Sequence, residues 1–234
     1  MMKQEQSKRV QTSVLNAVEK TVLVWLAQRQ PRWMTSDMLT AIGVVGAVVV
    51  AVGYVLSNLH VGWLWLSSLG YVINWYGDSL DGTLARVRGT QRPIYGFYLD
   101  HNIDGITMSI MCIGAGLSCM LNLFIAMAVL AVYLLLSISV YINAHLRGEF
   151  KLTYAGMGPT EFRLLMIGVN TLFALVAPLR AWGLRFTIVD MPVTFGAFDV
   201  VGVVILAVLV IIYLNNFKHD ADVYAKLDPE KPFE

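Results

Sequence analysis

Long apolar runs separated by short polar breaks set the pattern of this chain. They cover residues 38–58, 61–86, 96–120, 122–146, 160–180 and 197–217. Each is close to the ~20 residues an α-helix needs to cross the hydrocarbon core of a bilayer. The breaks fall at Asn58-Leu59-His60, Gly89–Tyr95, Leu121-Asn122, Arg147–Pro159 and Arg180–Gly196. The pattern predicts six transmembrane helices. The first 31 residues read differently. Val10, Val14, Leu15, Val18, Val22 and Leu26 recur at helical spacing, while Lys8, Arg9, Glu19, Lys20 and Arg29 interrupt any apolar core. No small-residue cleavage site follows a short apolar stretch, so a secretory leader is not expected. An amphipathic helix lying in the membrane interface is, anchored by Trp25 and Trp33.

Composition strengthens the membrane reading. Of the 234 residues, 57% are hydrophobic and 14% charged, whereas a soluble domain carries about 25% charged residues. This excludes a disordered chain, a disulfide scaffold and an ordinary cytosolic enzyme. The expected fold is all-α and integral to the membrane, in one domain over 1–234. Residues 1–35 form the interfacial helix and connecting loop, 36–217 the six-span core, and 218–234 a cytoplasmic tail. A net charge of +1 gives no sign of a nucleic-acid partner. With six spans both termini share one side, and of the 17 Lys and Arg only Arg180 and Arg185 fall on the other. By the positive-inside rule, the termini and everything level with them are cytoplasmic.

Charges inside spans are costly, at ~2.5–3.5 kcal/mol or more near the centre, so they need a reason. They concentrate at one place. The second run ends in Gly77-Asp78-Ser79-Leu80-Asp81-Gly82-Thr83-Leu84-Ala85-Arg86, and the third opens with Gly96-Phe97-Tyr98-Leu99-Asp100-His101-Asn102-Ile103-Asp104. Asp78 and Asp81 share a helix face, as do Asp100 and Asp104. Antiparallel helices joined by a short loop bring the pairs level near the cytoplasmic boundary. Crowded carboxylates repel in a low dielectric. One or two divalent cations relieve that repulsion, and oxygen-only ligands favour Mg²⁺, Mn²⁺ or Ca²⁺ over zinc. Gly82, Ala85 and Gly96 leave room beside the helices for a bulky ligand. Arg86, Arg88 and Arg92 add positive charge suited to phosphate. The combination points to phosphoryl chemistry on a lipid.

Asp78-x2-Asp81-Gly82-x2-Ala85-Arg86-x9-Gly96-x3-Asp100-x3-Asp104 resembles the signature of the CDP-alcohol phosphotransferase family. Asp37-x2-Thr40-x2-Gly43 is similar to that family's Asn-x2-Thr-x2-Gly stretch, with Asp in place of Asn. The resemblance implies transfer of a phosphate-linked group from a CDP-linked donor to a lipid or other alcohol acceptor, with release of CMP. It implies Mg²⁺ or Mn²⁺ held by Asp78, Asp81 and Asp100, with Asp104 completing the metal site or acting as general base. It further implies nucleotide binding by Gly82, Ala85, Arg86 and Gly96, and a homodimer. Asp100-His101-x2-Asp104 and Gly158-Pro159-Thr160-Glu161 are similar to the choline and ethanolamine phosphotransferase type. There the histidine and glutamate serve the acceptor hydroxyl, which makes His101 and Glu161 catalytic candidates.

Other readings stand beside these. A CDP-diacylglycerol-dependent enzyme acting on a small polar alcohol uses the same signature. A transporter or proton pathway also buries carboxylates, but spreads them over several helices towards the midplane. His101 also fits a capping or interfacial role, and Glu161 an acidic first turn of a helix. His145 and Arg147 read as interfacial anchors, and Asp199 as an outer-interface residue beside Arg180 or Arg185.

Overall fold

The computed structural model describes residues 8–9, 16–147, 149–150, 158–188 and 191–229. Helices α1 (Asn16–Arg29), α2 (Ser36–Leu56), α3 (Leu64–Arg88), α4 (Pro93–Gly116), α5 (Leu123–Arg147), α6 (Pro159–Leu175), α7 (Ala177–Ala181) and α8 (Ala197–Leu227) make up most of it. Their ends follow local chemistry. The Thr35 hydroxyl accepts from the Met38 amide at 3.2 Å and starts α2. Gly89, with φ of 65°, stops α3 in the left-handed conformation that glycine adopts without penalty. Pro93 opens α4, where its missing N–H is not needed.

The closest packing is the antiparallel seam between α2 and α3. A Cβ on Gly46 would stand 2.3 Å from the Asn74 amide nitrogen, and one on Gly77 would stand 2.2 Å from that of Gly43. Backbones approach this closely only where side chains are missing. The Asn74 amide donates to the Gly43 carbonyl at 2.9 Å and the Ser67 hydroxyl to that of Val50 at 2.9 Å, locking the seam's register. One apolar core joins Ala47, Val50, Tyr54, Tyr71, Met111 and Phe173. A second, Leu23, Ala27, Leu39, Leu80 and Leu84, holds α1 against α2 and α3. Helix α4 packs on α2 and α5, and α6 on α3.

Among the described residues, three helices are long and apolar enough to cross a membrane, at Ser36–Leu56, Leu123–Leu146 and Ala197–Leu227. The other three expected spans coincide with α3, α4 and α6, whose polar residues reduce their apolar character. Large apolar side chains cover the exterior, among them Val45, Val52, Val204, Val208, Ile211 and Leu214. Contiguous exposed apolar surface on this scale belongs in lipid, and the protein is membrane-embedded and all-α in its core.

Three departures from the sequence reading have local causes. The break at 180–196 contains an antiparallel hairpin of β3 (Gly183–Ile188) and β4 (Met191–Gly196), numbered after a two-residue bridge of β1 (Lys8–Arg9) and β2 (Glu149–Phe150). Helix α8 continues past the expected end at 217 to Leu227. It is held there by the Asn143 amide, which donates to Asp220 at 2.6 Å, and by the Tyr224 hydroxyl, which donates to Asn143 at 2.6 Å. Helix α1 is less one-sided than expected, since Val18, Val22 and Trp25 are exposed while Leu23 and Ala27 are buried. Val10, Val14 and Leu15 lie outside the described residues.

Candidate active site

Asp78 on α3 and Asp100 and Asp104 on α4 each offer a carboxylate oxygen, and the three oxygens lie within 4.8 Å of one another. The i, i+4 spacing puts the α4 pair on one face. The α3 partner is held in place by the seam, since a Cβ on Gly43 would come within 3.2 Å of the Asp78 amide nitrogen. Three partly exposed carboxylates so close together repel unless a cation neutralises them. The donor set is all oxygen, which fits a hard divalent cation such as Mg²⁺ or Mn²⁺ and disfavours zinc.

Asp81 feels the charges of Asp78 and Asp100 and is also held from α2. Its carboxylate accepts from the Thr40 hydroxyl at 2.6 Å and from the Gly82 amide, and its carbonyl accepts from Ser36 at 2.9 Å. Thr40 and Gly43, read in the sequence as part of a motif on the first span, are thus the α2 residues that fix the aspartates of α3.

Arg163 went unrecognised as a site residue. Its Nη2 donates to Asp78 and its Nε donates to the Asn74 side-chain oxygen at 2.8 Å, with its side chain only 11% exposed. In the sequence it counts as one more cytoplasmic cation, and its place in the first turns of α6 does not separate it from an arginine reaching out at a helix end.

The basic loop is differently occupied than the sequence reading has it. Arg88 donates to the backbone carbonyls of Met34, Gln30 (3.0 Å) and Pro31 (2.8 Å), stapling the connecting loop to the end of α3. Arg92 forms a two-oxygen ion pair with Asp37 at 2.6 Å, and that hydrogen-bonded carboxylate raises the Arg92 pKa above its ordinary value. Arg86 donates to Thr83, within the motif's own helix, at 2.9 Å. Arg88→Gln is therefore expected to lower the thermal midpoint by several degrees, with metal affinity unchanged. Unfolding scans and a metal titration on the same preparation check both halves.

The motif glycines differ from those of the seam. Among the described residues, a Cβ on Gly82 would meet nothing nearer than the Arg86 guanidinium at 3.5 Å, and one on Gly96 would meet nothing within 4 Å. No described helix packs where they stand, so among the described residues these two positions border open space beside the carboxylates. Ala85 lies one turn along from Gly82 and is partly buried.

His101 sits between aromatic rings, stacked on Phe97 at 4.0 Å and edge-on to Tyr141 at 4.8 Å. Its Nδ1 lies 2.8 Å from the Phe97 carbonyl, an arrangement in which Nδ1–H donates and the basic lone pair of a neutral ring falls on Nε2. Asp100 is 3.7 Å from the same Nδ1. Glu161 accepts from the Gly158 amide at 3.0 Å and caps the start of α6. Asp199 accepts from the Asn122 and Gly196 amides at 2.6 and 2.8 Å, and it lines one cavity together with Arg180 and Arg185.

Comparison with known proteins agrees with this layout. Over 101 residues the chain is 32% identical to cholinephosphotransferase 1 of Danio rerio, a match covering 41% of this chain and 26% of that protein. The chain therefore spans about 26% of the length of that relative. The sequence profile of the CDP-alcohol phosphatidyltransferase family matches residues 33–195, from the loop before α2 to the end of the hairpin and through all four aspartates. The chain belongs to the CDP-alcohol phosphatidyltransferase family.

Proposed function

We propose that this protein transfers a phosphate-linked alcohol group from a CDP-linked donor to a hydroxyl acceptor in phospholipid synthesis. The observation that carries the proposal is the juxtaposition of three carboxylates with two glycines that border open space. Asp78, Asp81, Asp100 and Asp104 would hold Mg²⁺ or Mn²⁺, with Asp81 fixed by Thr40. When bound, the ion neutralises the diphosphate and stabilises the CMP leaving group. Gly82, Ala85, Arg86 and Gly96 would line the nucleotide cleft.

In the reaction the acceptor oxygen attacks the phosphorus that carries the alcohol, and the bond from that phosphorus to CMP breaks. The hydroxyl proton passes to Asp104 or to Nε2 of His101. Glu161 remains a candidate for orienting the acceptor from the start of α6. The Danio relative is named a cholinephosphotransferase, which supports a CDP-aminoalcohol donor and a diacylglycerol acceptor. The second reading, a CDP-diacylglycerol donor with a small polar alcohol, uses the same carboxylates and rests on the family as a whole. A transporter would need ionisable groups spread across several helices, and the aspartate trio on two helices favours the transferase.

We also propose that α3, α4 and α6 span the membrane with the three more apolar helices, giving six spans. Helix α1 then lies in the interface, the termini and site face the cytoplasm, and two copies associate.

The test is CMP release by purified protein with Mg²⁺ or Mn²⁺ on two substrate panels. CDP-choline and CDP-ethanolamine with diacylglycerol are expected to yield CMP. CDP-diacylglycerol with inositol phosphate, glycerol phosphate or serine is expected not to. Product from the second panel alone overturns the aminoalcohol assignment and keeps the transferase. Product from neither, with metal bound, overturns both substrate assignments.

A further inference from the structure

Arg163 is an unusual neighbour for a metal-binding carboxylate. A cation already stands on Asp78, one of the trio proposed to hold a metal ion. Its placement is built from two helices and is deeply enclosed. The Asn74 side chain donates to the Gly43 carbonyl at 2.9 Å, which fixes the orientation of its amide. The oxygen of that amide then receives Arg163 Nε at 2.8 Å and aims Nη2 at Asp78. Asn74 and Arg163 are both buried.

The arrangement is incomplete for a purely structural ion pair. Arg163 Nη1 is buried and has no hydrogen-bond partner among the described residues. A buried guanidinium fixed for stability alone is normally satisfied on all its nitrogens, because an unmet buried donor is costly. Arg163 thus holds unused donor capacity beside a carboxylate needed elsewhere. Its own anchor, Asn74 Oδ1, does not depend on Asp78.

We propose that Arg163 is a positioning residue that acts as a resident counter-ion. It occupies Asp78 while the trio holds no metal, and yields that carboxylate when the trio takes one up, staying tethered through Asn74. Arg163 then sets how tightly the site binds its ion, by competing for a ligand and by adding like charge close to it. The inference rests on the metal role proposed for Asp78, Asp100 and Asp104.

The experiment is Mn²⁺ binding to the purified full chain, followed by electron paramagnetic resonance and by the metal-induced shift in thermal midpoint. Removing a unit positive charge a few ångströms from a divalent cation is expected to tighten Mn²⁺ binding by roughly tenfold or more in Arg163→Gln. The same variant should have a lower midpoint without metal and a larger upward shift with it. Asn74→Ala keeps the charge but loses its aim, and should tighten binding by a smaller factor. Arg163→Lys should stay near the wild type.

Unchanged or weaker binding in Arg163→Gln overturns the inference. If that variant does not fold, unchanged or weaker binding in Asn74→Ala does so. The metal reading has its own control, because Asp100→Asn must weaken binding. Wild-type protein that takes up no Mn²⁺ removes the metal reading and this inference together. Binding lost in Asp100→Asn and untouched by Arg163→Gln removes this inference alone.

Discussion

Asp104→Asn is expected to lower CMP release by roughly a thousandfold or more, the scale lost when a positioned proton acceptor is removed, while the helical fold is retained. Asp104 shares the 4.8 Å cluster with Asp78 and Asp100. It stands one turn along α4 from Asp100, and in the proposed reaction it would complete an ion's ligand set or receive the acceptor's proton. Asparagine has nearly the same shape but neither the negative charge nor the basicity. The change removes repulsion from the cluster, so no loss of fold is expected. A matched thermal midpoint and elution volume would show this. Appreciable turnover in that variant would refute both roles for Asp104. If turnover vanishes with Mn²⁺ affinity largely kept, the proton-acceptor role is favoured over the ligand role.

The second large effect lies outside the chemistry. Gly77→Ala is expected to cost about 1–3 kcal/mol or more, in the manner of an overpacked core, and to reduce activity further than that loss of stability explains. The new methyl carbon would stand 2.2 Å from the Gly43 nitrogen and 2.5 Å from the Leu39 carbonyl oxygen, both backbone atoms that cannot turn aside. The helices must separate. Gly77 precedes Asp78, and Thr40 on the opposing helix holds Asp81 at 2.6 Å, so the separation moves both aspartates of α3. Unfolding in detergent micelles and CMP release measure the two losses. Gly96→Ala is the control. No described residue lies within 4 Å of its Cβ position, so its midpoint should hold while donor affinity weakens. A stable, fully active Gly77→Ala protein would mean the seam does not position the site.

Much of this was legible from periodicity and spacing. The apolar runs located every long helix because spanning length and helical rise are fixed by the bilayer, not by tertiary detail. Asp78, Asp100 and Asp104 could be placed together because i, i+4 spacing and a short loop leave few alternatives. Asp81 could not be told from Asp78 by spacing. Its hydrogen bond from Thr40, 41 residues away, is brought up only by the fold. Arg163 lies 85 residues from Asp78, and nothing local distinguishes such a partner from an arginine reaching out of the membrane at a helix end. Arg88 and Arg92 looked available for phosphate because their acceptors, three loop carbonyls and Asp37, are brought up only by the fold. The hairpin did leave a trace in the alternation of Leu184, Phe186 and Ile188 with Arg185 and Thr187. That period of two covers only six residues in each strand, far fewer than a membrane span.

The helices apolar enough to cross alone are α2, α5 and α8, and the ones that carry aspartate trio or arginine are α3, α4 and α6. A segment with several ionisable groups partitions poorly from the insertion machinery into lipid by itself. Each polar helix here has a companion: α3 lies against α2 along the glycine seam, α4 is flanked by α2 and α5, and α6 leans on α3. If α3, α4 and α6 span the membrane as proposed, insertion is expected to be cooperative, with α2 in place for α3 and α3 in place for α6. The residues of the proposed site would then be the same ones that make these helices depend on earlier segments to enter the bilayer.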